Sequence, residues 1–227
     1  MFTNFEVTIM ENDFLKGSYE EILRLGLGSL SHANRHSIYA PMENEKWPEL
    51  SILQAAHAAE LFIKARIAQE HPLLIIDKFP KINKENKDMS YRDLIVNSKT
   101  IQWHQLLDRL YICTGKKIKH EDIFLKIGNL RNNIQHLGIY NIEQNFSDIT
   151  LEFIFKVIDP FINENWNLYA MDFDEEDESY LYLPNALISR EIPFLVSDEG
   201  KEYFDEWKDS LEKCSEEYKK GILFQIG

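Results

Sequence analysis

At 227 residues, with 44% hydrophobic and 12% aromatic content, the chain can bury a core without disulfides or a structural metal. Its formal charge of −13 argues against a surface built everywhere for polyanions. The acidity is uneven, though: residues 172–227 carry 16 acidic and 6 basic side chains, a net of −10, and residues 1–171 are close to balanced at −3, so local nucleic-acid binding stays open.

The start, Met1 to Glu6, lacks the charged and apolar segments of a signal peptide. A first helix is predicted over about 12–37, capped at Asn12-Asp13, with apolar positions Phe14, Ile22, Leu25, Leu30 and Ala33. Gly26 and Gly28 weaken its middle and mark a close helix contact. Pro41 and Pro48 bracket the connection to a second helix, about 49–70, whose run from Leu53 to Ala65 is apolar on most faces and therefore central. His57 within it reads as a core histidine. The longest uncharged apolar run, Pro72 to Ile76, is too short to cross a bilayer, so a soluble, cytoplasmic chain with no membrane partner is expected.

Residues 78–102 read as a polar, lysine-rich loop holding a short helix near Tyr91 to Val96. Helical spacing resumes at Leu106, Leu107, Leu110 and Tyr111, and again from His120 to His136, with Gly138 as the stop. Cys113 and Cys214 form no C-x-x-C pair, which excludes a readable zinc site or disulfide scaffold and suits a reducing cytosol. A further helix over about 149–169 carries Pro160 as a kink. Beyond it the composition shifts to an acidic run, Asp172 to Glu178, then an alternating Tyr180-Leu181-Tyr182-Leu183 read as a short strand, then a charged helix over about 198–220. The chain is thus predicted to be all-α, with a helical body over 1–171 and an acidic appendage over 172–227.

One stretch carries chemistry: Arg131-Asn132-Asn133-Ile134-Gln135-His136. It resembles the R-x4-6-H motif of the HEPN superfamily, in which a polar residue follows the Arg. The run Ala58-Ala59-Glu60-Leu61-Phe62-Ile63-Lys64-Ala65 is similar to that family's core helix, with its Glu followed by a Lys. The likeness covers about 12–171. A second pair at the same spacing, Arg66 and His71, lacks the polar residue and sits at a helix end before Pro72.

The resemblance implies a HEPN-like helical bundle acting as a homodimer, a metal-independent endoribonuclease needing no cofactor, and a toxin or defence effector partnered by a nucleotidyltransferase-type antitoxin. It equally admits a non-catalytic module that binds nucleotide, RNA or a partner protein. In the catalytic case the RNA 2′-hydroxyl attacks the adjacent phosphate. His136 takes its proton as general base, Arg131 stabilises charge on phosphorus, and Asn132 orients the imidazole or binds phosphate. On a regular α-helix Arg131 and His136 lie about 140° apart, so either local unwinding or a two-fold dimer has to gather the motif; the dimer is favoured. As an alternative, both side chains cap a structural helix end.

Glu60, among alanines and large apolar residues, needs a partner: Lys64 one turn on, or Arg131, which it would then position. Lys116, Lys117 and Lys119 form a basic patch, either a solvated loop or an RNA-contacting rim. His32 and His36 share a helix face with no acidic residue beside them in sequence, and are read as surface or groove histidines without a metal. The acidic run at 172–178 is a solvated loop or a guard over a cationic groove.

Overall fold

The computed structural model describes residues 15, 17–39, 44–81, 90–138, 145–175 and 179–227; among them the fold is all-α, with one two-stranded sheet. The predicted cap at Asn12-Asp13, together with Phe14, Pro41, residues 82–89 and the end of the acidic run, lies outside the described residues. No helix among them is long and apolar enough to cross a membrane. The chain divides into two compact units, residues 1–25 with 60–117 and residues 26–59 with 118–227.

Helix α1 (Ser18–Ile38) and helix α2 (Trp47–Glu70) each contribute to both units. In α1 the buried positions Gly26, Leu30, Ala33, Asn34 and Ser37 recur at helical spacing, whereas the predicted apolar position Leu25 is exposed. Gly26 is buried as expected of a close contact. Gly28 is not: it faces solvent, and a Cβ there would meet nothing within 4 Å. Gly28→Ala is therefore expected to stabilise the fold by about 1 kcal/mol, read as a higher urea midpoint with unchanged slope. Helix α2 is buried on nearly every side, from Ile52 through Ala55, Ala59 and Phe62 to Ala68. His57 is the exception and is exposed, which corrects its reading as a core histidine.

In the first unit, α2 runs into a 3₁₀ turn (Pro72–Ile75) and strand β1 (Ile76–Lys78), which pairs antiparallel with β2 (Lys99–Thr100). Helix α3 (Tyr91–Val96) coincides with the short helix expected in the polar loop, started by Ser90 Oγ accepting from the Asp93 N–H. Helix α4 (Leu106–Thr114) follows and stops at Gly115, whose φ of 70° favours glycine. Phe62, Ile63, Ile67, Ile101, Leu106 and Leu110 make the core. Arg109 Nη1 donates to the Leu74 carbonyl at 2.9 Å, tying α4 to the 3₁₀ turn.

The second unit holds α5 (Glu121–Asn132), α6 (Phe146–Phe153) and α7 (Asp159–Trp166). Two π turns, Asn133–Leu137 after α5 and Ile154–Ile158 before α7, interrupt the α geometry. The second has a clear cause. Pro160 has no N–H and its ring clashes with the carbonyl of residue 156 in a regular helix, so the wider turn just ahead of it relieves the conflict. Pro160 thus sits in the first turn of α7, where proline is tolerated. A buried hydroxyl pair, Ser51 Oγ and Thr150 Oγ1 at 2.7 Å, joins α2 to α6.

Residues beyond 172 differ from expectation in two ways. The Tyr180–Leu183 alternation is not a strand but the start of helix α8 (Ser179–Ile188), with Leu183, Leu187 and Ile188 buried at helical spacing. Four alternating residues are too few to separate the two periods. The charged helix predicted over 198–220 is broken into α9 (Asp198–Lys201), a 3₁₀ turn (Phe204–Glu206), α10 (Lys208–Leu211) and α11 (Glu216–Ile226). Ser197 and Ser215 begin α9 and α11 as N-caps, restarting the chain where an uninterrupted helix was expected.

Pro184 lies inside α8 and removes the N–H that the Tyr180 carbonyl would otherwise accept. The indole Nε1 of Trp207, a fully buried side chain, donates to that carbonyl at 2.7 Å and fills the gap. Trp207→Phe is expected to cost about 1–3 kcal/mol from the orphaned carbonyl alone. In a Pro184→Ala background, where a backbone N–H is restored, part of that cost should vanish; a denaturant double-mutant cycle measures the difference.

Candidate functional site

Helix α5 inserts Phe124, Ile127, Gly128 and Leu130 into the second unit, with Phe124 against Phe153 at 6.3 Å between ring centroids. Arg131, seven residues on from Phe124, falls at the edge of this buried face and is half-buried; it is engaged within the fold rather than free. Asn132, Asn133, Gln135 and His136 are exposed. Gly138, at φ 58°, closes the segment in the left-handed conformation, as predicted.

The local geometry departs from a regular helix inside the motif itself. Residues Asn133–Leu137 form a π turn, which closes its hydrogen bonds over five residues instead of four and turns less per residue. Arg131 and His136 are therefore brought nearer a common face than the 140° offset of a regular α-helix allows. It is the local unwinding that the sequence left open beside the favoured two-fold dimer, and it arises within one chain. The rival pair is otherwise occupied: Arg66 is ion-paired with Glu70 at 2.8 Å, and His71 Nδ1 accepts from the Leu73 N–H to cap the 3₁₀ turn.

Glu60 accepts from Lys64 Nζ at 2.7 Å, and the same ammonium donates to Thr100 Oγ1 at 3.0 Å, so the nearly buried Lys64 links α2 to β2. Lys117 and Lys119 are exposed and Lys116 is half-buried. Lys117 Nζ stands 5.1 Å from the Tyr111 ring centroid. Lys116 and Lys117 belong to the first unit and Lys119 to the second.

The histidines of α1 do have an acidic neighbour, contrary to their sequence context. Glu175, from the acidic run, lies 2.7 Å from His32 Nδ1. His36 Nδ1 lies 2.7 Å from Gln54 Oε1, and its ring sits 4.3 Å from that of Trp47. Burial pushes the His36 imidazole below its ordinary pKa. The buried Asn34 amide donates to the carbonyls of Ala170 and Phe173 at 3.0 and 2.7 Å, fastening the start of the acidic run to α1.

Sequence reasoning missed a second polar centre. Asp159, fully buried, accepts from the N–H groups of Ala170 and Leu195 at 2.8 and 2.9 Å. Nearby, Ser197 and Tyr180 both donate to Asp172 Oδ1, at 2.6 and 3.0 Å. Burial raises the pKa of Asp159 to about 7 and pushes Asp172 and Tyr180 upward as well. The available signal was an aspartate set among Val157, Ile158, Phe161 and Ile162, where an ionised carboxylate is expensive.

Comparison of the chain with models of protein families, with curated proteins and with solved structures gives no match.

Proposed function

We propose that the chain is a HEPN-like, homodimeric, metal-independent endoribonuclease of the cytoplasm, acting as a toxin or defence effector with a nucleotidyltransferase-type antitoxin as its protein partner. The observation that carries this is the π turn at Asn133–Leu137, which reduces the angle between Arg131 and the exposed His136 within one chain. Chemically, His136 removes the 2′-hydroxyl proton, the 2′-oxygen attacks phosphorus, and the bond to the 5′-oxygen breaks. The leaving oxygen takes a proton from solvent or from the second His136 of the dimer, and a 2′,3′-cyclic phosphate remains. Arg131 offers a planar fork of donors matched to phosphate oxygens, and Asn132 stands beside it to orient imidazole or bind phosphate. Lys119, exposed and in the same unit as Arg131, supplies an RNA-contacting cation, so that affinity falls with salt.

One observation favours the second reading, a non-catalytic HEPN-like module for nucleotide, RNA or protein. Arg131 is half-buried and already engaged by the fold, which leaves less of its guanidinium for phosphate. Incubating the wild-type protein with end-labelled single-stranded RNA in excess EDTA separates the two. Products ending in 2′,3′-cyclic phosphate are expected; intact RNA over a broad panel, with a folded dimer, transfers the conclusion to the module.

A further inference from the structure

The first unit contains a cavity of about 510 Å³, within the range of small-molecule sites. Its walls are apolar: Leu15 and Ile22 at the start of α1, Ile75 and Ile76 where the 3₁₀ turn meets β1, and Ile95 on α3. Ile22, Ile75 and Ile95 are only half-buried, so this apolar surface is open to whatever fills the cavity.

Polar groups are few and differ in kind. Ser18 Oγ lines the cavity, is shut off from solvent, and makes no hydrogen bond. A buried hydroxyl without a partner is uncommon, but this one is closed to a ligand in the cavity as it is to water. Thr100 Oγ1 already accepts from Lys64 Nζ, a group that can only donate, so the threonine hydroxyl hydrogen remains available as a donor. Two carboxylates line the same space, Glu20 and Glu21, and no cation is found among its described lining residues. Glu21 is paired with Arg24 at 2.5 Å, but Glu20 accepts only the Tyr19 hydroxyl, at 3.1 Å, and makes no ion pair among the described residues. Charge on the described lining is therefore negative and only partly matched.

We infer that this cavity binds a small amphiphile with an aliphatic body and a cationic ammonium head, the body against the isoleucine walls and the head at Glu20. The site lies wholly within one compact unit and involves none of the residues assigned to RNA cleavage, so it stands or falls independently of that activity.

The test is titration of the full-length protein with n-hexylammonium, n-hexanol and n-hexanoate at low ionic strength, followed by calorimetry and by backbone amide shifts. Hexylammonium is expected to bind in the millimolar range or tighter, about tenfold better than hexanoate, with hexanol between them. Shifts should centre on residues 18–22, 75–76 and 95. Glu20→Gln should narrow the ammonium-to-carboxylate ratio to about threefold or less while leaving hexanol binding unchanged. Ile75→Trp should fill the cavity and abolish binding of all three; if that variant loses its thermal transition, Ile95→Trp is the substitute. The inference is overturned if no compound binds, if hexanoate binds as well as hexylammonium, if Glu20→Gln leaves their ratio unchanged, or if a folded tryptophan variant still binds.

Discussion

On the proposed reading, His136→Ala lowers the rate of RNA cleavage by about 10²–10⁴-fold and leaves stability within about 0.5 kcal/mol of wild type. The separation of the two effects follows from position. His136 is exposed in the last turn before Gly138, so removing its imidazole opens no cavity in the core. A general base contributes only while the proton moves, so the loss should fall on kcat, with RNA binding little changed. Arg131→Lys is the informative companion: it keeps the charge but loses the fork, and should also lower kcat. Because Arg131 is half-buried, its variants must be checked for a retained thermal transition before their rates are compared. Cleavage by His136→Ala at the wild-type rate would remove the histidine from the chemistry and with it the proposed mechanism.

Helices with strong local signals were legible from the chain alone. The alanine-rich run of α2 announced a central helix, and a short helix was expected near Tyr91 to Val96, where α3 lies, because residue composition and spacing are local features. What escaped depended on distant partners. Tyr180–Leu183 is helical because α8 buries Leu183, Leu187 and Ile188, and because Trp207, twenty-seven residues away, serves the carbonyl that Pro184 deprives. Strands β1 and β2 are too short to show a period of two and exist through their mutual pairing.

The candidate site divides the same way. Arg131, Asn132 and His136 were picked out by residue type and spacing, but the π turn that alters their relation was not visible, since no residue in Asn133–Leu137 enforces it as Pro160 enforces the other. The Glu60–Lys64 pair was foreseeable at four residues' separation, while its extension to Thr100 across 36 residues was not. For His32, sequence neighbours showed no carboxylate, and Glu175 reaches it only through the fold.

The stability of the fold is expected to fall as pH rises from about 4 to about 7, and Asp159 is the reason. In the unfolded chain its carboxyl ionises at the usual value near 3.8; in the folded protein burial raises this to about 7, against the opposing pull of the Ala170 and Leu195 N–H groups, with nearby Asp172 adding to the rise. Between those two values the folded state holds a proton that the unfolded state has released. Linkage then gives a contribution fully present below about pH 4 and lost as pH climbs through 7, on the order of 4 kcal/mol in total. Histidines titrate in the same window, so the isosteric Asp159→Asn is needed as the reference. Its amide oxygen can accept from one of the two backbone N–H groups, but its NH₂ faces the other, costing about 1–3 kcal/mol at pH 5. The variant carries no titrating group there, whereas the wild type bears a buried charge by pH 8. The stability of wild type minus that of the variant, from urea midpoints at each pH, should therefore fall by about 3 kcal/mol from pH 5 to pH 7. It should reach zero or change sign there, and level off above that. A difference that stays constant or rises would mean that Asp159 is ionised throughout and that its two backbone hydrogen bonds outweigh its burial.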